Sequence, residues 1–135
     1  MAQLDREQTV RDILQRRVSA IIRTGDQGVA RAAMSAAVAG GIRMAEFTLT
    51  TPGALDLVAE FAGQPDLLVG AGTVLTTEQA RQAVAAGARF LVSPIGDPAV
   101  IAEARRLGAA SIPGTLTPTE MQAAHVAGAD FVKLF

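Results

Sequence analysis

Two patterns of apolar residues alternate along this chain. Ala-rich stretches with helical periodicity give way, after a glycine, to short apolar runs of strand length. The punctuating glycines are Gly41, Gly63, Gly87, Gly108 and Gly128, at intervals of 20 to 24 residues. Each falls where a helix end calls for a left-handed residue. The apolar runs predict strands over 18–23, 42–49, 67–71, 89–93, 109–112 and 130–135. The intervening stretches predict helices over 28–39, 77–86, 98–107 and 118–127, and a further helix over 6–17 precedes the first strand. Helix starts carry Thr or Asp followed by Glu or Pro, as in Thr77-Glu78, Asp97-Pro98 and Thr117-Pro118.

Short strands alternating with helices mean parallel βαβ units. Six such strands suit either a barrel or a doubly wound sheet. No linker or composition shift divides the chain, so residues 1–135 are expected to form a single domain. The chain stops at Phe135 with the sixth strand uncovered, whereas an eight-stranded βα barrel needs roughly 200 residues or more. The expected fold class is therefore α/β, a (β/α)8 TIM barrel of which about six βα units are present, incomplete at the C-terminal side.

Composition narrows the function. Half of the 135 residues are apolar, enough for a sizeable core, and there are five Phe but no Trp or Tyr. Formal net charge is −1 with no basic cluster, which argues against nucleic acid and against an anionic membrane surface. No apolar run approaches the roughly 18 residues that span a bilayer, and the polar N-terminus carries no signal-peptide core, so a cytoplasmic location is expected. With no cysteine and His125 as the only histidine, thiol chemistry is excluded and a zinc site is not expected. His125 falls on a helix and is read as structural.

The chain has eleven arginines and one lysine, Lys133, in Phe131-Val132-Lys133-Leu134-Phe135. Strand alternation puts Phe131, Lys133 and Phe135 on one face. A buried ammonium between phenylalanines is costly, which favours a neutral amine able to attack a carbonyl, a reaction closed to arginine. A strand-end lysine snorkelling to water is the plainer alternative. Glu46, on a strand face shared with Thr48 and Thr50, needs either an arginine partner or a task, and proton transfer beside an amine is such a task. Gly70-Ala71-Gly72-Thr73 fails the full dinucleotide fingerprint, because Leu75 stands where its last glycine belongs; it reads as a tight loop offering the Thr73 hydroxyl. Ser93-Pro94 and Ile112-Pro113-Gly114 read as ordinary loop formers. Arg23, Glu46, Thr73, Pro94 and Lys133 all fall near strand C-termini, the face on which barrel active sites lie.

These residues carry a resemblance. Ile21-Ile22-Arg23, Glu46-Phe47-Thr48-Leu49, Val69-Gly70-Ala71-Gly72-Thr73-Val74-Leu75, Ser93-Pro94, Ile112-Pro113-Gly114 with Thr117-Pro118-Thr119-Glu120, and the Lys133 run are similar, in order and spacing, to the 2-keto-3-deoxy-6-phosphogluconate aldolase family. That family includes 6-phosphogalactonate and 4-hydroxy-2-oxoglutarate relatives. The resemblance implies a metal-independent class I aldolase without cofactor. It would cleave a 2-keto-3-deoxy sugar acid, phosphorylated at carbon 6, into pyruvate and an aldehyde such as glyceraldehyde 3-phosphate. It implies Lys133 as the Schiff-base lysine, Glu46 as general acid/base, Arg23 and Thr73 as carboxylate holders, Pro94 and Phe135 as the wall around the pyruvate methyl, and a homotrimer. Thr50 stands where phosphogluconate-type members often carry Arg, which leaves Arg23 as the anchor; Ile95 follows Ser93-Pro94 where Gly or Asn is usual. The βα pattern also suits a phosphate-binding synthase or isomerase, which would form no covalent pyruvate adduct, or a non-catalytic assembly module, which would show no turnover.

Six parallel strands leave two unpaired edges. Exposing the outward Val132 and Leu134 costs about 1.5–3 kcal/mol each, against a total stability of about 5–15 kcal/mol. Residues 1–135 expressed by themselves are thus expected not to form a closed, active monomer. Sedimentation, thermal unfolding and an aldol-cleavage assay test this, and a cooperative, monomeric, fully active product would refute it.

Overall fold

The computed structural model describes residues 5–135. Its elements run α1 (Arg6–Arg16), β1 (Ala20–Ile22), α2 (Gln27–Ala39), β2 (Met44–Thr48), α3 (Ala54–Ala62), β3 (Leu68–Gly72), α4 (Thr77–Ala85), β4 (Phe90–Ser93), α5 (Pro98–Arg106), β5 (Ala110–Thr115), α6 (Pro118–Val126) and β6 (Lys133–Leu134). The six strands pair in parallel in chain order, β1-β2-β3-β4-β5-β6, and curl into a half-barrel. A doubly wound sheet would reverse its strand order at a switch point, so the sequential order decides against that alternative.

Local chemistry sets the helix ends. Asp26, Asp97 and Thr117 accept hydrogen bonds from the first-turn amides of Val29, Ala99 and Glu120. At α4 the cap is Thr76, which accepts from Gln79 N, and not Thr77, which is already helical. Past the helix ends, Gly41, Gly87, Gly108 and Gly128 have φ of +105°, +112°, +78° and +95°, as their spacing implied. Gly63 departs from the pattern. It closes α3 with φ −78°, and Asp66, at φ +60°, makes the left-handed turn in that loop.

Two strand expectations need correction. β5 runs through Ile112-Pro113-Gly114 to Thr115, so those residues are sheet and not loop. Proline is tolerated because a parallel strand bonds alternate residues to alternate neighbours, and Pro113 pairs in register with Ser93. The expected sixth strand over 130–135 contracts to Lys133–Leu134, paired through Gly114↔Lys133 and Thr115↔Leu134. β1 is likewise only three residues long.

Side-chain alternation divides the core in two. Ala45, Phe47, Val69, Ala71 and Leu91 face the helices and pack with Met34, Leu57, Phe61 and Ala80. Phe47 and Phe61 meet with ring centroids 5.1 Å apart at 56°. Met44, Leu68, Phe90, Val92 and Ala110 face the concave side, where Ile13 of α1 packs against them. Helix α1 therefore plugs the N-terminal end of the half-barrel. It is held there by the Arg6–Asp130 ion pair and by Arg89, which donates to Thr9 Oγ1 at 3.0 Å. Asp130 also accepts from Ser111 N at 2.9 Å, which fixes the entry to β6.

Between the outer helices, Glu103 of α5 accepts from Arg106 Nη2 at 2.7 Å and from Arg81 Nε at 2.8 Å. The hydrogen bond from Arg106, and then that from Arg81, hold its carboxyl down from an ordinary 4.5 to about 2. A depressed folded-state value means that the paired carboxylate stabilises the fold above about 4.5, and that this is lost as pH falls towards about 2. The melting temperature is expected to fall across that window, and less steeply in Glu103→Gln. Parallel slopes for the two proteins would show the cluster to be thermally silent.

Candidate active site

Strand register decides which side chains share the concave face. Ile21 pairs with Glu46, Glu46 with Gly70, Gly70 with Phe90, and Phe90 with Ala110. Two and four residues along β5 from Ala110 stand Ile112 and Gly114, and Gly114 pairs with Lys133. Alternation from Ile21 brings Arg23 to the same side, and from Val92 it brings Pro94. Arg23 and Pro94 follow the C-terminal ends of β1 and β4, Lys133 stands on β6, and Glu46 lies mid-strand on the same face, while Phe90 and Ala110 open their strands at the opposite end, against α1.

Glu46 is the buried member, with a relative exposure of 4% at the middle of β2. Burial pushes its carboxyl up from the ordinary 4.5, and the positive charges of Lys133 and then Arg23 pull it part of the way back. Among the described residues no arginine stands within ion-pairing distance of Glu46; Arg23 acts on it only through its field. Lys133 is only half-buried at the end of β6, and Phe131 packs into the concave core while Phe135 is exposed. The lysine expected to be sealed between phenylalanines is thus open on the side of Phe135 in this structure. Its ammonium nitrogen sits 5.1 Å from the Phe135 ring centroid, within cation–π range.

Thr73 follows β3 in a left-handed backbone conformation, φ +59°. A β-branched residue is held there at a cost of about 1–3 kcal/mol, a kind of strain that gathers at functional sites. The turn brings its hydroxyl within 3.5 Å of Arg23 Nη2. A second hydroxyl group supports the same corner: Thr48 Oγ1 lies 3.1 Å from that of Thr50 and 3.3 Å from that of Thr51, and Thr51 Oγ1 accepts from Thr24 N. Thr51 thereby fixes the residue next to Arg23, a role with no signal in the sequence beyond a threonine in a loop.

Pro94 and Phe135 line a cavity of about 270 Å³ with Gly114 and Thr115. Lys133 and Glu46 are not among its lining residues. Gly114 is tied to this corner by close approach. A Cβ built on it would stand 2.4 Å from Pro94 O and 2.7 Å from Phe135 Cε2. His125 lies exposed in the last turn of α6, away from these residues. No helix among the described residues is long and apolar enough to cross a membrane.

Fold and cluster together define a parallel β/α protein that brings an amine and a buried carboxylate onto one concave face of its sheet. A sequence model of the KDPG and KHG aldolase family matches residues 10–135. A 2-dehydro-3-deoxy-phosphogluconate aldolase of Treponema pallidum is 46% identical over 101 residues, covering 74% of this chain and 48% of its own length. Among solved structures, the 2-keto-3-deoxy-6-phosphogluconate aldolase of Zymomonas mobilis ZM4 with 3-phosphoglycerate superposes with a TM-score of 0.82 at 32% identity, over 99% of this chain and 63% of that one. The KDPG aldolase of Legionella pneumophila, with pyruvate captured at low pH as a covalent carbinolamine intermediate, gives 0.73 at 30% identity, over 89% of this chain and 59% of that one. The chain belongs to the KDPG and KHG aldolase family, and spans about half the length of the curated relative from Treponema.

A raised carboxyl value means that ionised Glu46 opposes folding once pH exceeds the ordinary 4.5. Glu46→Gln removes that charge while keeping the shape. Its melting temperature at pH 7 is expected to equal or exceed that of the unsubstituted protein, with the advantage vanishing at acid pH. A Gln variant clearly less stable at pH 7 would make Glu46 a structural anchor.

Proposed function

We propose that this chain carries the catalytic lysine and proton-transfer half of a class I aldolase acting on a 2-keto-3-deoxy sugar acid. The observation that carries the reading is the pairing of the chain's lone lysine with a buried, charge-coupled glutamate on one concave face. Lys133 would attack the C2 carbonyl, and loss of water would give an iminium. Glu46 would move protons for that dehydration and take the proton from the C4 hydroxyl as the C3–C4 bond breaks. The bond's electron pair passes into the iminium, leaving an enamine that is protonated at C3 and hydrolysed to pyruvate. A carboxylate whose burial keeps its proton affinity high suits both directions of transfer. The Legionella relative's covalent carbinolamine supports the lysine step.

Arg23 and the Thr73 hydroxyl, 3.5 Å apart, would hold the keto-acid carboxylate. Thr50 is exposed and bonded to Thr48, which leaves the charge to Arg23. Pro94 and Phe135 would flank the pyruvate methyl. The substrate is assigned as a 6-phosphorylated sugar acid on the names of the relatives, and the second product as an aldehyde such as glyceraldehyde 3-phosphate on the family resemblance. The six sequential βα units are read as part of a (β/α)8 barrel in a cytoplasmic homotrimer, without metal or cofactor, as the family resemblance implies.

Incubation of the folded full-length protein with pyruvate and borohydride is expected to add a reduced pyruvate adduct to the peptide holding Lys133. Glu46→Gln is expected to fold yet lose aldol cleavage by roughly 10²-fold. An unmodified Lys133 peptide would sink the aldolase reading and favour a synthase or isomerase on the same fold.

A further inference from the structure

We propose that Gly72 is the positioning residue for Glu46: the absent side chain at the end of β3 is the seat in which the Glu46 carboxylate lies. The inference rests on the aldolase reading for its consequence in proton transfer, but its geometric core stands independently.

Gly72 pairs in register with Thr48, while Glu46 pairs with Gly70. Glu46 therefore leans diagonally towards the rim, across the face of its neighbouring strand. A Cβ built on Gly72 would stand 1.9 Å from Glu46 Oε1, 2.8 Å from its Cδ and 3.1 Å from its Cγ. All three of the nearest atoms belong to that one side chain. The backbone offers no other reason for glycine, because Gly72 is not among the residues with positive φ. It lies in regular strand, which any L-residue can adopt.

Gly70, two residues earlier on the same face, makes the contrast. A Cβ there would meet the ring of Phe90 at 2.4 Å, and Phe90 is fixed in the concave core. A methyl group at Gly70 collides with packing. A methyl group at Gly72 collides with the far end of a flexible side chain, which can move. The fold should survive that change while the carboxylate is pushed out of its seat. The same strand end continues into Thr73, whose left-handed turn aims its hydroxyl at Arg23. One short run thus seats the proton carrier and then turns to the carboxylate anchor. The glycines that resemble a broken dinucleotide fingerprint serve side chains of adjoining strands.

Gly72→Ala is the test. Carboxylate-labelled Glu46 is followed through its titration by NMR, and methyl hydrogen–deuterium exchange of pyruvate is measured in the same protein. Glu46 is expected to lose its upward shift in Gly72→Ala, and exchange to fall by about tenfold or more. Adding Glu46→Asp should restore part of both. Its carboxyl carbon stands where Glu46 has Cγ, 3.1 Å from the new methyl, and a shift of a few tenths of an ångström clears it. An unchanged Glu46 titration, full exchange in Gly72→Ala, or no recovery in the double variant overturns the assignment. If Gly72→Ala does not fold, the same substitution in Glu46→Ala must fold, since the colliding atoms are gone; failure there also overturns it. Absence of pyruvate exchange in the unsubstituted protein would instead sink the aldolase reading, with the Glu46 titration still deciding the role of Gly72.

Discussion

Parallel pairing in chain order is the constraint on which the site depends. Each strand is joined to the next by a helix that returns the chain to the same starting edge. All six strands therefore finish at one rim, and side chains of matching parity look into one concave space. No loop has to be long to bring Arg23, Glu46 and Lys133 together, though 110 residues separate the first from the last. Arg23 follows its strand, Glu46 sits at the middle of β2 and Lys133 opens β6, and their shared parity faces them into the same curled sheet.

Two buried or nearly buried glutamates show how differently one fold treats the same group. Glu103 is clasped by Arg81 and Arg106 at hydrogen-bonding distance, and its proton is given up easily. It fastens α4 to α5. Glu46 has cations in its field without such a clasp, and burial dominates its proton affinity. Ion pairing makes the first inert to pH over the neutral range. Desolvation raises the proton affinity of the second, where ion pairing lowers that of the first.

The repeating βα architecture was legible because its signals are local. Asp97-Pro98 and Thr117-Pro118 announced helix starts, and four of the five spaced glycines adopt the left-handed turn they promised. That Glu46 and Arg23 lie on one face of the sheet was legible through parity. What was not legible depends on neighbours distant in sequence. Pro113 and Gly114 look like a turn until β4 and β6 supply the register that keeps them in β5. Gly63 breaks the pattern because the turn after α3 is made at Asp66. The plug formed by α1 has no local signature, because its amphipathic face matches a cavity assembled from β2 to β5. Gly72 could be read as space only once the Glu46 side chain was seen to fill it.

The bond between Arg6 and Asp130 has a consequence in time. Its partners lie 124 residues apart. During synthesis at about 5–20 residues per second, roughly 6 to 25 seconds separate the appearance of one from that of the other. Throughout that interval the plug helix has left the ribosome, while the strand entry that secures it does not yet exist. Val10 and Ile13 then have no complete cavity to enter, and the concave wall of Met44, Leu68 and Phe90 stays open to water. The tie between the first helix and the entry to the last strand is thus among the late contacts to become available to the growing chain.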